Sequence, residues 1–542
     1  MDPRATLQAL KRRAEEGESP ESLSHSALDL VGRSAAETAV PFDDETRRMA
    51  VRLAGGTMIH GGRVAGEDRL RGARVLAGFL HALAGRGVHL ITPDEPQAQE
   101  EGERTAAVYG PLGMTVGVLR TDMSRAERRA AYGADVTVGA YRRFGLDLLH
   151  DRQAMAPEDR SRRDAPAAVV KDPGHVLVAP IAEPLTLVED DASPAHELRK
   201  VARLTAALSD GQDYAVDTDR GVVRLTPKGR DRLHDAFGVT DPAGMETLLL
   251  EKRVGEAVLA NHRYVQGRDY DVADAKVVPV SSGELPKGVR LRGGLLQAIE
   301  VKEGLTVSDA QWVTTTVSVF EYFRRYPHVG GTSLAELMFT AELEELFGLT
   351  VWDLRGPDEL STQQQYAQQM AVYLDLNRRI ARWSRLGEQQ RAELNDLRDR
   401  SWEPHELRTL LRHSVGEAVR EELRRSDGDP RRLRRGLGEL AGGRPPERLT
   451  DTGDPQSIAD TVLTNARRVC DDRLLADPDT QRGGVQSAVD QAAVYQAQAE
   501  MYYRDLHWPD DLAAFEEALT GVHEGLRTQF GRAVARHALR RN

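Results

Sequence analysis

Gly87-Val88-His89-Leu90-Ile91-Thr92 is the stretch on which the fold class turns, an apolar run of strand length set between stretches of helical character. Met114-Thr115-Val116-Gly117-Val118-Leu119 repeats the pattern. Ala167-Ala168-Val169-Val170 repeats it again after the charged loop 156–166, and His175-Val176-Leu177-Val178 follows closely as a fourth run. Short continuous apolar runs are what strands buried on both faces require, and their alternation with helices predicts parallel βα units. The first 188 residues are therefore expected to form an α/β domain.

Working outward, the character changes between about Glu189 and Leu305. Two hairpin-like pieces, Asp213–Thr226 and Asp269–Val280, alternate with helical stretches rich in Leu, Arg and Glu, as in an inserted α+β module over 189–305. Residues 361–400 hold apolar side chains at helical spacing with Gly387 as the one helix breaker, which predicts one long helix or a hairpin of two. From Ser361 to the end, 361–542, helix dominates. Residues 426–455, rich in Gly and Pro, are expected to be a loop or hinge. No repeat at a fixed period is visible.

A chain of 542 residues with 40% hydrophobic and 29% charged side chains is long enough for three or four domains. The formal charge of −12 provides no global field for drawing in nucleic acid, so no nucleic-acid partner is expected. One cysteine, Cys470, excludes a disulfide within the chain and a multi-thiolate zinc site. The first 23 residues place charges where a signal peptide needs an apolar run, and no later stretch approaches a membrane span. A cytoplasmic protein is expected.

Several stretches then resemble one family in order along the chain. Residues 53–66 (LAGGTMIHGGRVAG), 81–99, 109–119 and above all 131–152 (AYGADVTVGAYRRFGLDLLHDR) resemble the first motor domain of SecA, the ATPase that drives preproteins through the bacterial translocon. Residues 169–185 stand where that family has an acidic nucleotide motif, and 269–280 with 290–307 look like the end of its preprotein cross-linking module. Residues 329–351 look like the return into the motor domain, completing 306–360, while 370–397 and, more loosely, 466–489 resemble its helical scaffold and wing. The resemblance implies a RecA/DEAD-like parallel-sheet motor domain with an inserted peptide-clamp-like module, followed by a long all-α region.

The departures from the family pattern bear on function. Nucleotide hydrolysis needs a Gly-rich turn whose N–H groups wrap the phosphates, a Lys on the β/γ-phosphates and a hydroxyl on Mg²⁺. At that place the chain reads Gly66-Glu67-Asp68-Arg69-Leu70-Arg71-Gly72, where Glu67 and Asp68 oppose phosphate while Leu70 and Arg71 remove close backbone approach. The acidic motif is replaced by Lys171-Asp172-Pro173-Gly174, and Asp172 alone is a poor Mg²⁺ site. After Leu360 the chain runs almost directly into the scaffold-like helix, where the family inserts a second motor domain. The resemblance thus implies a degenerate, truncated SecA-like pseudo-ATPase without catalytic residues, metal or cofactor. It would act as a protein- or extended-peptide-binding or scaffold module related to preprotein translocation, with room for peripheral membrane contact. In SecA the inserted module clamps a polypeptide by adding it to strand edges, which selects Val222, Val223, Val277 and Val278 as candidate peptide contacts. The sequence leaves the oligomeric state open.

An alternative of a different class comes from the helical part. Asn395, Asp399 and Glu403 fall at i, i+4 and i+8, and Asp471 and Asp472 open an aspartate-rich turn. Two such facing stretches superficially resemble the Mg²⁺-diphosphate site of class I terpene cyclases, so the alternative cofactor is Mg²⁺ with a diphosphate substrate. Carboxylates on the outer face of scaffold helices, paired with neighbouring Arg residues, explain the same residues more simply. His60 is likewise read as structural, for want of a carboxylate at a fitting spacing.

Overall fold

The computed structural model of the chain describes residues 3–35, 41–61, 65–154, 157–181, 183–191, 195–217, 222–239, 245–279, 294–334, 339–354, 357–440, 455–507 and 512–539. Two compact units divide the chain: residues 1–186 with 316–388, and residues 187–315 with 389–542.

In the first unit the apolar runs become strands β1 (Thr57–His60), β2 (Val88–Thr92), β3 (Val116–Val118), β4 (Val136–Ala140) and β5 (Ala167–Lys171). The sheet is completed by β6 (His328–Ser333) and β7 (Thr350–Asp353). The order is β7-β1-β6-β5-β2-β4-β3, with every pair parallel. All five residues of β2 and of β4 are buried, the burial on both faces that a continuous apolar run foretells. Helices Asp44–Ala54 and Glu67–Ala82 pack here through Met49, Leu53, Leu70, Leu76 and Phe79, against Ile59, Leu90, Val138 and Val169 of the strands. Gly330 in β6 lets the helix Asp44–Ala54 come close, since a Cβ there would lie 2.2 Å from the Leu53 carbonyl oxygen.

The fourth apolar run does not become a strand. Asp172 takes φ +51° and its carbonyl accepts the N–H groups of His175 and Val176, so Gly174–Val178 coils into one turn of π-helix with Val176, Leu177 and Val178 all buried. Pro173-Gly174 supplies the break that periodicity alone overlooked.

The second unit combines an α+β part with a helical part. Hairpins Tyr214–Asp217/Val222–Leu225 and Tyr270–Ala273/Lys276–Pro279 are antiparallel and pack with helices Ala195–Thr205, Met245–His262 and Gly294–Lys302. The chain builds the same entry turn twice. Gly211 at φ +72° and Gly267 at φ +83° each donate to the carbonyl of the Tyr three residues on, at 2.8 and 2.7 Å. Asp213 and Asp269 each accept the N–H four residues back, from Ser209 at 2.9 Å and Val265 at 2.8 Å. A repeated turn is thus present, carried by the pattern Gly-x-Asp-Tyr and too short to read as a repeat.

Residues 357–400 form one helix, not a hairpin of two. Helices Pro404–Arg425, Pro455–Ala476, Pro478–His507 and Leu512–Leu539 share a core that includes Leu411, Val415, Val462, Val489, Leu526 and Val534. The expected hinge is partly helical: Pro430–Leu440 buries Leu433, Leu437 and Leu440. Gly436 is kept there by packing, because a Cβ would meet the Glu422 carboxylate at 1.9 Å. The rest of that expected hinge, 441–454, lies outside the described residues. No helix among the described residues is long and apolar enough to cross a membrane.

Candidate anion site at the carboxyl end of the sheet

The carboxyl ends of parallel strands and the helix N-termini that follow them are where such folds bind ligands. β1 ends at His60, and the helix that follows opens at Glu67 after Gly66, which takes φ +70°. Glu67 and Asp68 stand in its first turn, in favourable register with the helix dipole. Arg69 turns away to Asp43 at 2.9 Å and Glu45 at 3.1 Å, and Leu70 is buried in the core. Arg71 bonds Asp68 at 2.9 Å and approaches Glu100 at 3.4 Å and Glu101 at 3.5 Å.

Arg74, one turn beyond, organises the site. Its side chain is 2% exposed; Nε donates to Glu101 at 3.0 Å, Nη1 to the Thr332 hydroxyl of β6 at 2.7 Å, and Nη2 to Glu67 at 2.7 Å. Lys171, at the end of β5, lies 3.9 Å from the same Glu67 oxygen. Burial alone would raise the Glu101 carboxyl, but the charge and hydrogen bonds of Arg74 outweigh it and hold the group below its ordinary range. Asp172 is shifted the other way: burial raises it, against the pull of Arg74 and Lys171.

Sequence reading selected Glu67, Asp68, Arg71, Lys171 and Asp172, and the fold brings them to one end of the sheet. Arg69 and Leu70 are directed elsewhere. It missed Arg74, Glu101 and Thr332, and the available signal was an arginine inside the otherwise apolar Gly72–Leu80 stretch. Chemically, the arrangement is a cluster of cations already served by carboxylates. The donor set does not fit Mg²⁺ with a nucleotide, because a lysine stands at the strand end and carboxylates crowd the helix start where phosphate oxygens would need bare N–H groups.

The candidate peptide contacts lie in the second unit. Val223 is buried, Val222 and Val277 are half-buried against neighbouring cores, and Val278 is 37% exposed. The alternative Mg²⁺ residues do not gather. Asp471 bonds Arg412 and is held below the ordinary carboxyl range by it, Asp472 pairs with Arg468 at 3.3 Å, and Glu403 caps helix Pro404–Arg425 from its backbone. Asn395 and Asp399 lie on the long helix, half-buried and exposed respectively. Among the described residues no group of three His, Cys, Asp or Glu side chains is placed to hold a metal ion. A cavity of about 700 Å³ does lie nearby, floored by Leu397, Leu410, Ala418 and Phe530, and its rim charges pair with each other, as Glu393 does with Arg527 at 3.1 Å.

Known proteins similar to this chain come from one family. The SecA DEAD-like domain family matches residues 3–344. Protein translocase subunit SecA of Clostridium botulinum (strain Alaska E43 / Type E3) is 30% identical over 347 residues, covering 63% of this chain and 41% of that protein. The same subunit of Rubrobacter xylanophilus is 31% identical over 355 residues, covering 63% and 38%, and that of Clostridium perfringens (strain ATCC 13124) 32% over 306 residues, covering 55% and 36%. The chain thus spans about two-fifths of the length of these relatives.

Proposed function

Because the chain belongs to the SecA family, we propose that it serves a role related to preprotein translocation as a protein- or extended-peptide-binding member that does not turn over nucleotide. The observation that carries this reading is the first turn of helix Glu67–Ala82, which holds Glu67 and Asp68, with Lys171 3.9 Å from Glu67; the family resemblance assigns these positions to a phosphate-binding loop and to a Mg²⁺ carboxylate. Phosphate oxygens brought there would meet like charge, and the cations that could offset it are already in ion pairs. What remains available to a partner is the inserted α+β part with its two hairpins, each a two-stranded sheet among the described residues, an architecture open to an extended peptide by strand addition.

Calorimetric titration of the full chain with ATP and Mg²⁺ at millimolar concentration tests the proposal. No saturable heat is expected. A micromolar dissociation constant, or phosphate release that disappears in Asp172→Ala, would overturn it.

A further inference from the structure

One oxygen of the cluster has an unusual neighbourhood. Glu67 Oε1 lies 2.7 Å from Arg74 Nη2, 3.8 Å from Arg71 Nη2 and 3.9 Å from Lys171 Nζ. Three cationic side chains, two from one helix and one from the end of a strand, thus surround a single carboxylate oxygen. The cations are fixed from behind: Glu101 and Thr332 hold Arg74, while Asp68 and Glu100 hold Arg71 from the outer side. Exposure rises from 2% at Arg74 and 6% at Arg71 to 13% at Lys171 and 32% at Glu67. Glu67 is therefore the most exposed of the four groups, and it lies within ion-pair reach of Lys171.

We infer that Arg71, Arg74 and Lys171 form an oxyanion cage and that Glu67 is its resident ligand, a carboxylate of the chain itself filling the place of a phosphate oxygen. The inference rests on the reading that this site does not turn over nucleotide, and it names what the site holds instead. Side by side and buried, three cations repel one another strongly; Glu101 offsets part of this for Arg74 and Arg71, and Glu67 is a carboxylate that lies within 4 Å of all three. An oxyanion with several acceptor oxygens would satisfy the same donors, with Arg74 and Lys171 supplying charge-assisted hydrogen bonds. Supplied by the protein, the anion is always present, so the cage is closed whatever the phosphate concentration outside.

The cage makes a specific prediction of gain. Full-length wild type and Glu67→Ala are titrated with tripolyphosphate by calorimetry, with thermal unfolding followed in parallel. The wild type should be silent. Glu67→Ala should bind saturably, at least ~10-fold tighter than wild type, the change expected from about 1.4 kcal/mol of uncovered ion pairing, and tripolyphosphate should raise its unfolding temperature. Adding Lys171→Ala should abolish the gain, and Asp68→Ala, which frees only the outer side of Arg71, should stay silent. Should Glu67→Ala fail to fold, Glu67→Gln, which keeps the shape and removes the charge, is expected to show the same gain. A folded, silent charge-removed variant overturns the cage, as does a gain that survives Lys171→Ala. A saturable ATP–Mg²⁺ signal from the wild type would count against the functional reading, whereas silence of Glu67→Ala toward tripolyphosphate counts against the cage alone.

Discussion

His81 closes helix Glu67–Ala82 with its side chain half-buried and its ring 5.8 Å from that of His328. Burial first, and then the charge of His328, depress its pKa to about 4. A histidine depressed in the fold takes up its proton more readily once unfolded, so its contribution is complete above the unfolded value and is lost as pH falls from roughly 6.5 toward 4. At pH 5 the loss should reach about 2 kcal/mol for this group. His89, buried in β2 and hydrogen-bonded to Tyr326 at 2.8 Å, is shifted the same way by burial and adds to it. The fall in unfolding temperature between pH 7.5 and 5 should therefore be smaller in His81→Gln than in the wild type; an equal fall would remove His81 from the account. At this scale the sequence was readable where a residue broke an expected chemistry, as Glu67 and Lys171 do. Arg74 was not readable, because its meaning lies in Glu101 on the neighbouring helix and Thr332 on a strand more than 250 positions away.

Among the elements, the second hairpin contains a correctable strain. Asp274 and Ala275 turn the chain with φ +49° and +57°, both left-handed, as a two-residue loop of the mirror-image type demands. Aspartate tolerates that region, but the alanine Cβ does not. Ala275→Gly should stabilise the hairpin by about 0.5–1 kcal/mol after allowing for the added freedom of the unfolded chain. Slower amide exchange at Val272 and Val277 would report it, and unchanged or faster exchange would show that the turn carries no such strain. The same hairpin, two-stranded among the described residues, exposes Val278, so a photo-crosslinking residue at 278 should trap an extended polypeptide, while one at buried Val223 should not. Equal trapping at both positions would argue against edge binding. Strands announced themselves in the sequence as short apolar runs because burial on both faces leaves no room for polar alternation. The run 175–178 misled because a π-turn that buries Val176, Leu177 and Val178 in succession has the same composition as a buried strand. Helix Pro430–Leu440 was hidden by glycines that serve packing, of which Gly436 is one.

At the scale of the molecule, the class of the large sheet followed from the alternation of runs and helices, but its order did not. Periodicity says nothing about which strands are neighbours, and the strands that flank β1 come after the insertion. The first five strands contain their own neighbours for β2, β3, β4 and β5, whereas β1 pairs only with β6 and β7. That asymmetry orders events during synthesis. As the chain leaves the ribosome, the strands from Val88 to Lys171 can assemble at once, while Thr57–His60 has no strand to join until His328–Ser333 has been made. At roughly 5–20 residues per second this delay is on the order of tens of seconds. For that time Met58 and Ile59, which are 1% exposed in the finished fold, are without their sheet neighbours. The earliest strand of the chain is thus among the last to be placed, and it is there that a nascent-chain chaperone would have the longest opportunity to bind.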